Sequence, residues 1–310
     1  MSWSILRSAR VISILTLVSR VAGLVRDMAF SYTFGVGSVQ SAFALAFQIP
    51  NLFRRLFGEG ALSAAAIPVL TETLHRRDGS EMNLLVGRLV GLLLALLTTL
   101  CVLAEIVVAG LYLYYRADAN SALTLELTAL MLPFMILICT GAILGGVENV
   151  FGQFALPAAM PIVINLFQIV AALGAPYLLP GDTRDQIFVA AASVLVGGAV
   201  QVWLQWRAVR RCGVRFRLSL DWRHPAIRRI ALTMVPMVVG LGVVQVNVLA
   251  DSLIAWWFVI DPPLNGLHEE RPGTAILYLA QHLYQFPLGV FLVALATAIF
   301  PALSRHAADD

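Results

Sequence analysis

The sequence has no lysine and little charge of either sign. All 21 of its basic residues are arginine, 18 residues are acidic, and charged residues make up 13% of the 310-residue chain. Soluble domains carry about 25% charged residues, and disordered chains combine low hydrophobicity with high net charge. The composition therefore excludes an ordinary soluble domain and a disordered chain.

Cysteine and the common motifs of enzymes are equally scarce. The three cysteines are Cys101, Cys139 and Cys212, and their wide spacing fits neither a disulfide framework nor a zinc site. We find no phosphate-binding glycine loop, no nucleophile elbow and no His/Cys set with metal-ligand spacing. We therefore expect no catalytic activity.

Apolar residues dominate what remains. They make up 59% of the chain, and the mean hydropathy is +0.84. Such a composition is typical of a polytopic, all-α membrane protein. We predict about eight membrane-spanning segments, at 11–34, 38–57 (with an amphipathic continuation to about 75), 84–113, 123–147, 154–178, 187–206, 227–259 and 274–303.

The arginines predict the orientation of these segments. With a cytoplasmic N-terminus, fourteen of the 21 arginines fall in cytoplasmic connections and three in outer ones. The positive-inside rule then places both termini in the cytoplasm. An N-terminal signal peptide is the alternative, but Arg20 interrupts the first apolar stretch and no cleavage site follows it.

Short similarities between the second and eighth segments indicate an internal repeat. Gln48-Ile49-Pro50 matches Gln285-Phe286-Pro287, and the stretch at 68–71 matches that at 301–304. Parallel repeats of this kind indicate two lobes related by an axis along the membrane normal. We predict a six-helix first lobe at 1–206, an arginine-rich cytoplasmic linker at 207–226, and the first two helices of a second lobe at 227–310.

The first two segments carry polar stripes at helical spacing. The first stripe comprises Ser13, Thr16, Arg20, Gly23, Asp27 and Ser31, beside Arg26; the second comprises Ser41, Ala44, Gln48, Asn51, Arg55 and Glu59, beside Arg54. Counted from the intervening turn, Arg20 and Arg54 both lie roughly 22–24 Å from the outer surface. Charged residues in membrane helices usually face a bundle interior or a hydrated cavity. We therefore expect one cavity whose guanidinium groups suit bidentate capture of phosphate.

Less specific roles for these side chains stay open. Arg54 and Arg55 could instead extend to the cytoplasmic interface, and Arg26 and Asp27 could neutralise each other as a structural pair. The stretch from Gly58 to Gly60 fits a hinge or a helix break.

Three further features lie outside the first two segments. Asp251 lies mid-span with Gln245 and Asn247 nearby, and fits either a cation or proton site or a hydrogen-bonded structural role. Polar side chains also cluster in the eighth segment, at Tyr278, Gln281, His282 and Gln285. The stretch 141–145, with glycine at both ends, fits close helix packing.

Three motifs resemble those of one transporter family. They are SRVAGLVRD at 19–27, IPNLFRRLFGEGA at 49–61 and QFPLGV at 285–290. They resemble the MviN/MurJ lipid II flippases, within the multidrug/oligosaccharidyl-lipid/polysaccharide exporter superfamily. The resemblance implies outward transport of undecaprenyl-pyrophosphate-linked peptidoglycan precursor by alternating access, in the bacterial inner membrane.

The resemblance also implies roles for individual residues. Arg20, Arg26 and Arg54 match the family's cavity arginines. Asp251 resembles a carboxylate associated with sodium in some members, so sodium or a proton is the expected coupling cation, with no other cofactor. We expect substrate contacts from these arginines and from Asp27, Gln48, Asn51, Arg55, Glu59, Gln281, His282 and Gln285.

The chain supplies only the start of the family's second lobe. We therefore expect a chain truncated after its eighth helix, which needs self-association or another chain to complete the cavity. The alternatives are an exporter of another lipid-linked oligosaccharide and a non-transporting membrane scaffold. A cationic drug is disfavoured as cargo because the first hairpin carries mainly arginines.

Overall fold

A computed structural model describes residues 2–76, 79–258, 271–285 and 287, with side chains except at 2–9 and 58–63. Within these ranges the chain is helical, with no β-strand. The helices are Ser2–Phe34 (α1), Ser38–Phe53 (α2), Ala61–His75 (α3), Gly79–Tyr115 (α4), Ala119–Met131 (α5), Phe134–Val150 (α6), Ala155–Leu178 (α7), Thr183–Arg211 (α8), Pro225–Phe258 (α9) and 273–285 (α10). The predicted all-α, polytopic membrane class is confirmed.

Within the described residues, hydropathy and helix length together identify five of the eight predicted membrane spans. Five helical stretches in the described residues are long and apolar enough to cross a membrane, at 79–115, 119–150, 155–178, 183–211 and 225–258. The first two predicted spans correspond to α1 and α2, which are absent from that set. Of the eighth predicted span, the described part is 274–285 and 287.

A proline divides the predicted span 123–147. α5 ends at Met131 and α6 begins at Phe134, with Pro133 between them. Proline has no N–H to donate and its ring clashes with the preceding turn. The predicted span 123–147 still lies within one apolar helical stretch, 119–150, that is long enough to cross a membrane and contains this interruption.

The second helix widens where it carries its arginines. Between α2 and α3, residues 54–60 form a π-helical segment, so the chain stays helical from Ser38 to His75. Pro50 interrupts the hydrogen-bond ladder just upstream. The stretch from Gly58 to Gly60 is therefore not a helix break.

Residues 214–223, which we call the strap, pack against the start of α4. α8 continues to Arg211, so the predicted linker begins as helix, and Gly213 (φ +88°) turns the chain out of it. The Ser219 amide then donates to the Gly87 carbonyl over 3.2 Å. A Cβ added at Gly87 would lie 2.1 Å from the Arg217 carbonyl oxygen, so only glycine admits this approach.

Contacts between connections distinguish two ends of the bundle. At one end Arg229, near the start of α9, pairs with Glu72 near the end of α3 at 3.0 Å. At the other end Arg271, just before α10, lies 3.2 Å from Asp118, which caps α5. Connections predicted to share a side of the membrane therefore meet.

Two apolar clusters hold the helices together. One joins α3, α4 and α6, with Leu70, Leu85 and Leu144 fully buried. The other joins α2, α5, α7 and α8 and includes stacked rings of Phe43 and Phe47. The second cluster extends to the turn between α1 and α2, and so seals that end of the bundle.

Candidate functional site

A cavity of about 610 Å³ lies among α1, α2, α6, α7, α8, α9 and α10. The ionisable side chains that line it are Arg20, Arg26, Asp27, Arg54, Arg55, Tyr278 and His282. Four arginines against one carboxylate make the lining strongly cationic, and a concave site of one charge sign attracts ligands of the opposite sign.

The site residues predicted from sequence mostly line this cavity. Those that do are Arg20, Arg26, Asp27, Gln48, Asn51, Arg54, Arg55, Gln281, His282 and Gln285. The remaining predicted residue, Glu59, has its side chain outside the described part of the structure. Both polar stripes thus contribute side chains to one space, although α1 packs mainly against α7 and is joined to α2 through a turn at Gly35 (φ +70°).

Arg26 is held by neighbours on three sides. Its guanidinium donates to Asp27 over 2.6 Å, to the Asn165 side-chain oxygen over 3.2 Å and to the Tyr278 hydroxyl over 2.8 Å. Arg26 is 8% exposed and Asp27 5% exposed. The structural pairing left open by the sequence is therefore formed, and Asp27 competes with any anion for Arg26.

The other three arginines keep more of their surface toward the cavity. Arg20 donates to the Gln285 carbonyl over 3.0 Å, and Arg55 donates to Gln245 over 3.3 Å. Arg54 joins them from the first position of the π-helical segment.

The hairpin arginines also hold α9 and α10 against the first helices. Besides the contacts of Arg20, Arg26 and Arg55, Gln48 donates to the Val248 carbonyl over 3.0 Å. At the sealed end the Ala275 amide donates to the Ser41 hydroxyl over 3.0 Å, and Ser41 is fully buried. Residues that face the cavity thus also make the contacts across it.

Sequence reasoning missed several neutral side chains of the lining. These are Asn149, Asn165, Gln201 and Gln205; Gln245, noted in the sequence only as a neighbour of Asp251, lines the cavity as well. The sequence did contain a signal for two of them. Gln201 and Gln205 lie four residues apart in an otherwise apolar part of the chain, so they lie on the same face of a helix.

Asp251 is exposed on α9, on the same face as Asn247. The described residues give it no hydrogen bond, and they contain no group of three or more His, Cys, Asp or Glu side chains placed to hold a metal ion. The described part of the chain does not assemble a cation site around this carboxylate.

Comparisons with known proteins give a family. The family model described as lipid II flippase MurJ matches residues 30–310. A probable lipid II flippase MurJ of Vibrio cholerae is 34% identical over 98% of this chain, and the lipid II flippase MurJ of Burkholderia cenocepacia is 29% identical over 99%. This chain covers 58% of each of those two proteins, which is less than two thirds of their length.

Solved structures share the fold. A lipid II flippase MurJ in an inward closed conformation superposes with a TM-score of 0.70 at 21% identity, over 95% of this chain and 58% of that one. An inward-facing multidrug resistance MATE family transporter of the MOP superfamily superposes with a TM-score of 0.63 at 15% identity, over 95% of this chain and 66% of that one.

Proposed function

The chain belongs to the family of lipid II flippases, and from this premise we propose that it moves undecaprenyl-pyrophosphate-linked peptidoglycan precursor from the cytoplasmic to the outer leaflet. It would act in peptidoglycan biosynthesis, and so in cell-wall biogenesis and cell shape. It is a transporter-type membrane protein, and we assign no catalytic step to it.

The observation that carries this proposal is the cavity with four arginines and one aspartate. A pyrophosphate offers several anionic oxygens, and an arginine guanidinium binds two such oxygens at once. Arg20, Arg54 and Arg55 are the proposed pyrophosphate ligands, with Arg26 joining once Asp27 is displaced. Gln48, Asn51, Gln281, His282 and Gln285 are proposed contacts of the polar headgroup, and Glu59 remains an expected one.

The hydrogen bonds of the arginines suggest how binding opens the cavity. A phosphate oxygen is a stronger acceptor for a guanidinium than the neutral carbonyl of Gln285 or the amide of Gln245. Pyrophosphate bound at Arg20 and Arg55 therefore replaces the contacts that hold α9 and α10 to the first two helices. Release of these contacts lets the two groups of helices separate, as alternating access requires.

The apolar cluster at the turn between α1 and α2 supports one direction of entry. It closes the end that the arginine distribution assigns to the outer side. The headgroup would enter from the cytoplasmic side while the lipid tail stays in the bilayer. We propose the bacterial inner membrane as location, with both termini cytoplasmic.

Two further proposals concern the coupling cation and the exposed face of α9. We propose sodium or a proton as coupling cation, with Asp251 as one ligand. Asn247 and Asp251 also leave polar groups on an exposed face of α9, which hydrocarbon solvates poorly. We propose that further helices cover this face, either from a second-lobe chain or from a second copy.

The alternative cargo is another lipid-linked oligosaccharide, because a pyrophosphate is common to that class. Cationic drugs remain disfavoured by the four arginines. The non-transporting scaffold shares the binding site and differs only in translocation.

Lipid binding tests the proposal. The purified chain in nanodiscs would be titrated with undecaprenyl pyrophosphate and with undecaprenol, which lacks phosphate. We expect tighter binding of the pyrophosphate, reduced about tenfold or more by Arg20→Ala or Arg54→Ala. The control is Arg116→Ala, since Arg116 is exposed and lies outside the cavity. Equal affinity for the two lipids would overturn the proposal.

A further inference from the structure

One wall of the cavity carries no charge. α6 contributes Gly141, Ala142, Gly145, Gly146 and Asn149; α7 contributes Pro157, Met160, Pro161, Ile164 and Asn165; α8 contributes Gln201 and Gln205. The arginines, by contrast, come from α1 and from the second helix with its π-helical segment. The lining from α6, α7 and α8 is thus neutral, whereas the arginines all lie on α1 and the π-helical segment after α2.

The side chain of Gln205 lies directly on two glycines of α6. A Cβ added at Gly141 would be 2.7 Å from its Oε1, and one added at Gly145 would be 2.9 Å from its Nε2. Both distances are shorter than side chains tolerate, so each glycine is needed for the amide to lie there. Close packing, predicted for the stretch 141–145, thus seats a polar group rather than an apolar one.

The amide of Gln205 makes no hydrogen bond within the described residues, although Gln205 is only 4% exposed and lines the cavity. Its amide atoms are not among the fully buried atoms that lack a partner, so they keep access to the cavity. Gln201, one turn earlier, donates instead to the Met160 carbonyl. Gln205 therefore presents a free donor and a free acceptor beside the glycine surface.

This chemistry selects a neutral ligand. A primary amide donates two hydrogen bonds and accepts two, which matches hydroxyl and acylamino groups rather than phosphate. Gly141 and Gly145 support the amide of Gln205, with Pro157 beside Gly145, so the polar group offered to a sugar in the cavity is this amide. The arginines would meanwhile hold the phosphates.

We propose that Gln205 on the surface of Gly141 and Gly145 is a specificity subsite for an N-acetylated sugar of the headgroup. The inference rests on the proposed function, because it assumes that a pyrophosphate-linked sugar enters this cavity. It adds that residues of α6 and α8 recognise the sugar, while the arginines bind the phosphates at a separate place in the cavity.

The proposed sugar subsite is tested with two lipids that share the undecaprenyl pyrophosphate. They differ only in the headgroup beyond it. The full chain in nanodiscs would be titrated with lipid II and with undecaprenyl pyrophosphate. Gln205→Met keeps the length of the side chain and removes its hydrogen bonds. We expect it to weaken lipid II binding about threefold to tenfold, with undecaprenyl pyrophosphate unchanged.

Gly141→Ala is an independent second variant. Its methyl group displaces the amide of Gln205 without altering that residue, and we expect the same selective loss. The matched control is Gly174→Ala on α7, where a Cβ meets nothing within 4 Å. Thermal unfolding of each variant would show that the fold is kept.

The outcomes separate the two proposals. Unchanged lipid II binding in Gln205→Met and Gly141→Ala overturns the subsite while leaving pyrophosphate binding intact, and an equal loss for both lipids also overturns it. If the unaltered chain binds neither lipid, the proposed function fails and the subsite fails with it.

Discussion

Nη1 of Arg20 donates a hydrogen bond to the backbone carbonyl of Gln285, 3.0 Å away, and so joins the first helix to the last described one. The same guanidinium faces the cavity. A bound phosphate and the closed arrangement of α1 and α10 therefore compete for one side chain. This competition connects occupancy of the cavity with the relative position of the helices.

Replacing Arg20 or Arg54 should abolish transport without removing the chain from the membrane. We expect Arg20→Ala and Arg54→Ala to prevent growth of a strain depleted of its own lipid II flippase, where the unaltered chain restores it. Each loses a guanidinium that binds phosphate in the cavity. Growth would be scored at matched protein levels in the membrane fraction.

The control for growth is again Arg116→Ala, which should restore growth fully. Normal growth with both cavity variants would contradict the role of these arginines in phosphate binding. If the unaltered chain inserts in the membrane but does not restore growth, transport by this chain is contradicted and the scaffold is favoured.

The buried pair of Arg26 and Asp27 should behave as a unit. Asp27→Ala alone leaves a buried guanidinium without its counter-charge, which costs about 3–5 kcal/mol of folding free energy in comparable pairs. The double variant with Arg26→Ala removes both charges and should recover most of that loss. Thermal unfolding of the two single variants and the double variant measures this coupling.

The same variants bear on the role of Arg26. We expect the double variant to bind undecaprenyl pyrophosphate more tightly than Arg20→Ala does, because Asp27 already neutralises Arg26. Additive losses of stability, with no recovery in the double variant, would contradict a mutually dependent pair.

Gly87→Ala should detach the strap from α4. Its methyl group would lie 2.1 Å from the Arg217 carbonyl oxygen, a backbone atom that cannot move aside as a flexible side chain can. We expect a loss of about 1–3 kcal/mol, typical of overpacking, and faster hydrogen exchange over residues 214–223.

Gly110→Ala on the same helix is the matched control. A Cβ there meets nothing within 4 Å, so alanine should leave stability unchanged or raise it through its better helix propensity. Equal effects of the two substitutions would show that the strap does not pack on α4 as described.

Glu72 should make the contact between α3 and α9 sensitive to acid. Hydrogen bonds from Arg229 and Arg76 lower the pKa of this carboxyl below its ordinary value. Its stabilising contribution is therefore complete above the ordinary glutamate pKa of about 4.3. It is lost only as the pH falls through the lower value in the folded chain.

A pH titration of hydrogen exchange at the end of α3 would measure this effect. Protection should persist at neutral pH and fall in the acidic range, while Glu72→Gln should show weaker protection that varies less with pH. Because Glu72 is exposed, high salt should reduce the difference. An identical pH profile for both proteins would exclude the ion pair as the cause.

The sequence predicts the helices well where apolar runs and turns agree. α4, α7 and α8 match their predicted spans because each is a long apolar run between turns, although α4 and α8 extend beyond the prediction at both ends. α1 and α2 were predicted as spans with the other segments, and the spacing of their polar residues then predicted the cavity. Neither is among the apolar spanning stretches, because α1 carries Arg20, Arg26 and Asp27 and α2 has only 16 residues. The motifs within them also gave the family, which the comparisons confirm.

The features that the sequence did not reveal depend on contacts between distant segments. Nothing local marks Gln205 as lying on Gly141, because the two residues meet only when α6 packs on α8. The strap is similar, since its position depends on a carbonyl of α4. The same holds for Glu148, whose carboxylate is fully buried and has no hydrogen-bond partner among the described residues.

The π-helical segment at 54–60 has a consequence for the motion of α3. A π-helical turn holds about one residue more than an α-helical turn, and each α-helical residue advances the chain by about 100°. Conversion of this segment to ordinary α-helix would therefore rotate α3 about its own axis relative to α2. Two of the four cavity arginines, Arg54 and Arg55, are the first residues of this segment. A rearrangement of the π-helical turn would therefore move these two guanidinium groups and rotate α3 together.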